Sequence, residues 1–393
     1  MTAAPLLTLG VVGCGAISDV YFAAISRSPA LTLKSVAARG MDSAVRQASR
    51  YGGDAVPFDA MLADPAIDLI VNLTPSSQHL ELNRRILEAG KHLYTEKPFV
   101  LSLADAQALA ALAEARGLRI GSAPDTFFGA AHQAARALVD EGAIGRPVHG
   151  AGFVGHPGIE HFHPNPSGFY QPGSEPPYEI GPYYITQLVN LLGPVESVLA
   201  YSARGPAQRT TRRGPRQGES FPVDVPTSYA AILVFEQGAM ITLTLSLDVA
   251  RHARRPIELY GTDGSLQLCD PNFFGGTLEL SRAGGAWEQI DTGNWALGTP
   301  NRDGLGGGRV ADYRGIGVVE MAEAIASGRP HRTGLDLVSH CVEVMEAIMR
   351  AAAGEMCVAI TTRCARPSPF ARGRDDAVRA LMRSPHEAID GPI

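Results

Sequence analysis

The stretch that decides the fold runs from residue 6 to residue 18 and reads LLTLGVVGCGAIS. Its apolar first half, Leu6–Val12, predicts a buried strand, and the glycines that follow predict a tight turn. A helix is expected to start near Ser18, and the N–H groups at a helix N-terminus can hold a phosphate. No cationic region precedes the apolar run, so the stretch is not typical of a secretion signal.

Short apolar runs alternate with helical patterns from residue 6 to about residue 123, and this alternation is typical of a parallel sheet built from βαβ units. We therefore predict a Rossmann-type dinucleotide-binding domain over residues 1–123. The predicted helices cover about 18–28, 42–51, 77–89 and 102–116. The predicted strands are Leu6–Val12, Leu31–Ala38, Leu69–Leu73, His92–Thr95 and Leu118–Ser122.

After Pro124 the strand candidates alternate apolar and polar residues and are separated by turn pairs such as Asp263-Gly264, which predicts a largely antiparallel sheet. We expect a second α/β domain with an open sheet over residues 124–366, and a surface extension over 367–393 with a short helix near 375–383. Helices are expected at about 128–140, 182–192, 313–327 and 334–353. The predicted strands are Val198–Ser202, Ser228–Phe235, Ala239–Leu247, Ile257–Tyr260, Ser265–Cys269 and Thr277–Ser281.

Two segments of the second domain look irregular. Residues 155–177 form a long loop that holds His156, His161 and His163. Residues 203–218 carry five arginines and are expected to form a solvated loop or hairpin, with a phosphate or partner contact as the alternative.

Composition narrows the class of protein. The 393 residues are 45% hydrophobic and carry 40 acidic against 34 basic side chains, giving a net charge of -6. This balance is typical of a globular enzyme and disfavours nucleic acid or an anionic membrane as a partner. The sequence contains no apolar run of about 18 residues, the length needed to span a bilayer. Five cysteines without metal-type pairing favour a reducing compartment, and we expect a cytoplasmic protein.

The glycine turn and the end of the second strand indicate a dinucleotide cofactor. An acidic residue at that strand end would bind the ribose of NAD, whereas the sequence has Ala38-Arg39-Gly40. Because a guanidinium pairs well with phosphate, Arg39 favours NADP. Asp42 could instead take the acidic role, which keeps NAD as the alternative. The turn residues expected at the pyrophosphate are Gly13, Gly15, Ala16 and Ile17.

Two further strand ends should face the same crevice. Thr74-Pro75 with His79 follows one of them, as a cofactor contact or as an ordinary helix start. Glu96 and Lys97 follow the other, ahead of Pro98. We expect Lys97 to bind the substrate oxygen, with its pKa lowered by burial so that it can exchange protons. A structural ion pair between Glu96 and Lys97 is the alternative.

These features resemble the glucose-fructose oxidoreductase / inositol dehydrogenase / rhizopine catabolism (Gfo/Idh/MocA) family over about residues 6–365. The resemblance implies a Rossmann domain followed by an open-sheet α/β domain, NAD(P)-linked chemistry on sugars, cyclitols and polyols, and Lys97 beside the nicotinamide, where Glu96 also belongs. The motifs that carry it are Gly13-x-Gly15, Thr74-Pro75 with His79, Glu88-Ala89-Gly90-Lys91-His92, Glu96-Lys97-Pro98 and Glu141-Gly142-Ala143-Ile144-Gly145.

The family commonly carries Asp-x-Gly-x-His in its second domain, with Tyr replacing His in some branches. This chain has Glu179-Ile180-Gly181-Pro182-Tyr183, so Tyr183 falls where the proton-transfer residue sits. A tyrosine needs a nearby cation to act near neutral pH, and Lys97 could supply it. Glu179 could contact the substrate or cap the following helix.

Several weaker substrate contacts complete the predicted site. His163 is expected to hydrogen-bond a polyol or to be a satisfied loop histidine, and no metal site is predicted because further ligands are missing. The remaining candidates are Asp125, Tyr184 and the pair Tyr313-Arg314.

Three functions follow from these residues. The leading one is an NADP-preferring oxidoreductase that moves hydride between nicotinamide and a hydroxyl or carbonyl carbon of a sugar-like substrate, with Lys97 and Tyr183 transferring the proton. The second is redox-neutral elimination or glycoside cleavage that uses the cofactor transiently. The third is a non-catalytic nucleotide sensor, which the presence of Lys97 together with a proton donor disfavours. The resemblance also suggests a homo-oligomer, a dimer or tetramer, formed through the open sheet face.

Overall fold

The computed structural model describes residues 7–304 and 308–370. The first part of the chain forms a six-stranded parallel sheet with the order β3-β2-β1-β4-β5-β6. Its strands are β1 (Leu7–Val12), β2 (Leu31–Ala37), β3 (Asp54–Ala55), β4 (Leu69–Asn72), β5 (His92–Thr95) and β6 (Ile120–Ser122). Its helices are α1 (Ser18–Arg27), α2 (Met41–Tyr51), α3 (Phe58–Ala63), α4 (His79–Glu88) and α5 (Leu103–Ala115).

This sheet confirms the predicted Rossmann arrangement. The strand order reverses between β1 and β4, and ligands bind in the crevice beyond the carboxyl ends of the strands at such a point. The predicted strands and helices all form within a few residues of their expected ends; Leu6 lies outside the described residues. The short β3 and α3 were not predicted, because two and six residues are too few to show a period.

The second part forms a nine-stranded sheet with the order β16-β15-β14-β13-β7-β12-β11-β8-β19. Its neighbours pair antiparallel except β7 and β12, which run parallel, so the predicted mainly antiparallel sheet is confirmed. The large strands are β7 (Pro147–Gly155), β8 (Val195–Ala203), β11 (Ser228–Phe235), β12 (Met240–Ser246), β13 (Ile257–Gly261) and β14 (Gly264–Leu268). The short strands of this sheet are β15 (Glu279–Arg282), β16 (Glu288–Gln289) and β19 (Val358–Ala359). Two separate two-stranded sheets are formed by β9 (Gln208–Thr210) with β10 (Ser220–Pro222) and by β17 (Arg302–Asp303) with β18 (Arg309–Val310). The helices are α6 (Ala130–Asp140), α7 (Pro176–Glu179), α8 (Gly181–Leu192), α9 (Ile316–Ala326) and α10 (Leu335–Ala352).

The central strand β7 is absent from the predicted strands, because its glycines weaken a strand signal. The structure gives those glycines a packing reason. A Cβ added at Gly150 would lie 2.5 Å from the carbonyl oxygen of Glu258, and one at Gly152 would lie 2.8 Å from Leu243. Close packing at the centre of the sheet therefore requires glycine there.

The two irregular segments pack on each other and form an arm, defined as residues 156–175 and 207–223. A separate apolar cluster that includes Tyr170 and Phe221 lies inside it. β9 and β10 pair as the predicted hairpin. The expectation of solvated arginines is wrong for Arg209, which is buried between Glu160 and Asp248.

The C-terminal helices return to the first sheet. α9 contacts α1 and β6, α10 contacts α5 and β8, and the N–H of Ser122 donates to the carbonyl of Thr333. The division of the chain at residue 123 stays a prediction. The predicted helix near 375–383 lies outside the described residues, as does most of the 367–393 extension. Among the helices described, none has the length and apolar character needed to cross a membrane.

Candidate functional site

The glycine turn between β1 and α1 has the shape that a pyrophosphate requires. Gly13 adopts a φ of 105°, and a Cβ there would lie 2.5 Å from the carbonyl carbon of Leu73, so only glycine fits. A Cβ at Gly15 would meet nothing within 4 Å, which leaves open space above the turn. Ser18 is buried at the start of α1 and donates its hydroxyl to the carbonyl of Gly15 at 2.7 Å. The residues present therefore fit a dinucleotide phosphate, with Ala16 exposed and Ile17 half-buried beside the open space.

The residues expected at the ribose lie just beyond β2. Arg39 is exposed after the strand, and Asp42 is exposed in the first turn of α2. The guanidinium and the carboxylate thus occupy neighbouring positions at the edge of the crevice.

The loop after β4 is fixed by internal hydrogen bonds. Thr74 donates its N–H at 3.1 Å and its hydroxyl at 2.7 Å to Oδ1 of Asn72. The buried His79 ring places Nδ1 2.6 Å from the carbonyl of Pro98 and Nε2 2.8 Å from that of Thr74. Burial lowers the pKa of His79. Each ring nitrogen thus faces a backbone carbonyl, and the ring lies between the loop that contains Pro75 and the loop after β5.

Glu96 supports the backbone at the end of β5. Its Oε1 accepts the hydroxyl of Tyr21 at 2.6 Å, and its Oε2 accepts the N–H of Lys97 at 2.9 Å. The carboxylate thus binds the backbone of Lys97, whereas the ammonium of Lys97 pairs with Glu179. The alternative of an ion pair between neighbouring side chains is not what forms.

Lys97 connects the end of β5 to the end of α7. Its Nζ donates to the carbonyl oxygen of Glu179 at 2.7 Å and to Oε1 at 3.0 Å. Glu179 ends α7, and α8 begins without a side-chain cap, so Glu179 holds Lys97 instead of capping the helix.

The expectation that burial would lower the pKa of Lys97 needs correction. Burial does act in that direction, but the charges of Glu179, Tyr183 and Glu96 outweigh it, and the pKa is raised above its ordinary value. Lys97 is therefore a fixed cation at neutral pH.

Tyr183 lies at the start of α8, which Pro182 initiates. The ring centre is 5.5 Å from Nζ of Lys97 and 5.8 Å from Cζ of Arg314. Burial raises the pKa of Tyr183 and exceeds the opposite effect of the two cations. Its phenol is therefore protonated at neutral pH beside two positive charges.

The other predicted substrate contacts have partners inside the protein. Asp125 is buried, and its Oδ2 accepts the N–H groups of Gly315 and Gly317 at 2.9 Å each. Tyr184 is buried under β7 and donates to the carbonyl of Phe153 at 3.2 Å. The ring of His163 lies 4.9 Å from that of Phe169 in the arm, and its Nδ1 accepts the N–H of Asn165. None of these contacts joins Lys97 or Tyr183.

The site also contains residues that sequence reasoning missed. Arg314 was expected at the substrate, but Asp312, which pairs with it at 2.7 Å, was not considered. Asn272 accepts from Arg314 through its carbonyl oxygen at 2.7 Å and through Oδ1 at 2.6 Å. No local motif marks these residues, and Asn272 meets Arg314 only in the folded chain. In the part of the chain that the structure describes, no group of three potential metal ligands occurs.

The chain matches two family descriptions in succession. Residues 7–123 match the description "Oxidoreductase family, NAD-binding Rossmann fold", and residues 132–267 match the "GFO/IDH/MocA C-terminal domain". The two matches cover more than half of the chain. The chain belongs to the GFO/IDH/MocA oxidoreductase family. The resemblance seen in the motifs is thereby confirmed.

Individual relatives of this GFO/IDH/MocA chain include a sugar reductase. Over 141 residues it is 36% identical to the dTDP-3,4-didehydro-2,6-dideoxy-alpha-D-glucose 3-reductase of Streptomyces violaceoruber, covering 35% of this chain and 41% of that protein. The match thus spans about two-fifths of that relative's length. The uncharacterized oxidoreductase ORF334 of Rhizobium meliloti is 27% identical over 276 residues, 68% of this chain and 75% of that one.

Solved structures show the same fold. A levoglucosan dehydrogenase in complex with NADH and L-sorbose superposes with a TM-score of 0.76 at 21% identity, covering 91% of this chain and 99% of that one. An aldose-aldose oxidoreductase from Caulobacter crescentus, complexed with glycerol, gives a TM-score of 0.71 at 20% identity over 90% of this chain and 99% of that one. The N-terminal Rossmann domain and the mainly antiparallel second sheet are therefore a shared architecture.

Proposed function

We propose that the protein is an NAD(P)-dependent oxidoreductase that interconverts a carbinol and a carbonyl on a sugar, cyclitol or related polyol. The observation that carries the proposal is the approach of Lys97, at the carboxyl end of β5, to Tyr183 at the start of α8. A cation and a phenol thus meet at the carboxyl edge of the sheet that also carries the glycine turn. The names of the sugar-acting relatives support the substrate class.

The cofactor would lie along the first sheet. Gly13 and Gly15 would hold the pyrophosphate at the N-terminus of α1, and the loop that contains Thr74 would border the nicotinamide. When bound, the nicotinamide supplies or accepts the hydride. We infer a preference for NADP, because Arg39 can pair with a 2′-phosphate.

The proton would be exchanged by the chain's own residues. In reduction the substrate carbon gains the hydride, and the phenol of Tyr183 gives its proton to the carbonyl oxygen. The ammonium of Lys97 stabilises the negative charge that develops on that oxygen. In oxidation the hydroxyl proton returns to Tyr183 as the carbon loses hydride. The protonated forms of Lys97 and Tyr183 found at neutral pH are those that the reductive direction needs.

Glu179 would set the orientation of Lys97. Its backbone carbonyl oxygen and its Oε1 each accept a hydrogen bond from Nζ, which leaves one N–H for the substrate. The side chain of Lys97 is 12% exposed, so the substrate would meet it in a largely water-excluded place.

The test combines binding and turnover. NADPH and NADH are titrated into the purified protein, and binding is followed by nucleotide fluorescence. Turnover of polyols and keto-sugars is then followed by absorbance at 340 nm. We expect binding and turnover, and we expect Lys97→Met to lower turnover at least about a hundredfold with nucleotide affinity within a few fold. Full activity of Lys97→Met would overturn the role of that residue. Binding with substrate consumption but no net absorbance change would instead identify redox-neutral chemistry.

A further inference from the structure

We propose that Arg314 is a positioning residue for proton transfer: its clamped guanidinium lies over the ring of Tyr183 and stabilises the phenolate left when the proton goes to the substrate. The inference rests on the proposed function of Tyr183. It adds a third side chain to the Lys97–Tyr183 pair, contributed by a segment far away in the chain.

The guanidinium of Arg314 is held rigidly. Its Nη1 lies 2.7 Å from Oδ1 of Asp312, and its Nη2 donates to both the carbonyl oxygen and Oδ1 of Asn272. The residue is 5% exposed. A buried charge fixed in this way can interact with Tyr183 without a reorganisation cost and with little screening by water.

The backbone that carries Arg314 is anchored as well. Asp125 accepts the N–H groups of Gly315 and Gly317 on either side of the start of α9. Gly315 has a φ of 95°, and a Cβ there would lie 2.8 Å from Ala24 in α1. Asp125 and helix α1 therefore fix the position of the backbone at Arg314.

Four charged groups act on the phenol of Tyr183. Lys97 and Arg314 favour the phenolate, whereas Glu96 and Glu179 oppose it. Lys97 is partly neutralised by its ion pair with Glu179 at 3.0 Å. The Arg314 charge is shared with Asp312, which a second arginine, Arg302, also neutralises at 2.9 Å. Asp125 and Asp270 also interact with the Arg314 charge, and burial raises the pKa of both carboxyls. Arg314 is the cation that lies over the ring on this side.

The chain offers a matched control. Arg302 and Arg314 are both buried and both pair with Asp312, but it is Arg314 that lies over the Tyr183 ring. Removing either arginine weakens the same ion-pair network. Loss of Arg302 thus reports the effect of a weakened network while the cation over the ring stays in place.

The experiment measures ionisation of residue 183 directly. A difluorotyrosine, whose phenol ionises at lower pH than that of tyrosine, is introduced at position 183 of the full chain and followed by fluorine NMR as pH rises. By Coulomb's law at an effective dielectric constant of about 20, Arg314→Gln and Arg314→Met should raise the titration midpoint by about one to two pH units. Arg314→Lys keeps the charge, so its titration midpoint should lie close to that of the parent. Arg302→Met leaves the cation over the ring in place and should shift the midpoint by clearly less than Arg314→Met does.

An unchanged midpoint in Arg314→Gln and Arg314→Met, or an equal shift in Arg302→Met, overturns the proposal. The titration needs no turnover, so it decides on Arg314 even if the protein acts on no polyol, which would count against the proposed function alone. With an active enzyme, Arg314→Gln should lower kcat and move its pH profile with KM nearly unchanged. A change confined to KM would contradict this inference.

Discussion

At the scale of single residues, the site depends on charges that neighbouring groups hold in place. Lys97 keeps its proton because three acidic or phenolic neighbours outweigh its burial. Tyr183 keeps its proton because burial outweighs two cations. The residues were predictable from local motifs, but the balance was not, since Glu179 and Arg314 reach them only in the folded chain.

The cofactor preference is a residue-scale prediction. Arg39→Ala should weaken NADPH binding about tenfold or more and leave NADH binding within about twofold, because a bidentate phosphate contact is lost. Nucleotide fluorescence titration of the parent and of Arg39→Ala measures the two affinities. Asp42→Ala serves as the paired variant: a selective loss of NADH binding there, with no effect at Arg39, would assign the ribose to Asp42 and contradict the NADP preference.

At the scale of elements, the N-terminus of α9 is held by one buried carboxylate. Burial raises the pKa of Asp125 to about 7, against the opposing effect of the Gly317 N–H and of Arg314. The native state therefore binds more protons at this group than the unfolded chain between about pH 4 and pH 7, so stability falls as pH rises through that window.

Asp125→Asn tests this linkage. The amide oxygen can still accept both N–H groups, while the group no longer ionises. Relative to the parent, the variant should gain stability steadily from pH 4.5 to pH 7.5, measured as the difference between the two urea midpoints. The control is Asp42→Asn, which changes an exposed carboxylate in the first turn of α2. A difference that stays constant with pH would refute the assignment.

Elements also show where sequence patterns stop being informative. Strands such as β4 were found because they are buried apolar runs. β7 was missed because Gly150 and Gly152 fit a packing need that no period reveals. Burial of Arg209 in the arm depends on Glu160 and Asp248, whose approach could not be deduced from the sequence.

At the scale of the whole molecule, the second sheet has one face that no other described residues of this chain cover. Helix α10 packs on β8 from one side, while exposed apolar side chains occupy the strands on the other. Tyr201 is 85% exposed on β8 and aligns with Ala230 of β11 and Thr244 of β12. A second copy of the chain is the occupant that we propose for this face.

Light scattering tests that proposal. The parent should be a dimer or tetramer, and Tyr201→Glu together with Leu199→Glu should yield smaller species, because two buried carboxylates would face apolar surface across the interface. Leu80→Glu changes an exposed leucine on α4 and should leave the size unaltered. A monomeric parent would contradict the proposal.

The return of α9 to the first sheet has a consequence for how such a protein is assembled and exchanged. During synthesis Lys97 and Tyr183 are added to the chain well before Arg314. A growing chain therefore holds the proposed proton-transfer pair before the guanidinium that lies over the Tyr183 ring is present. Truncation of the gene between the two sheets would also remove α9, the helix that packs on α1. Chimeras in which the second sheet is replaced by that of a relative should therefore take α1 and α9 from the same parent.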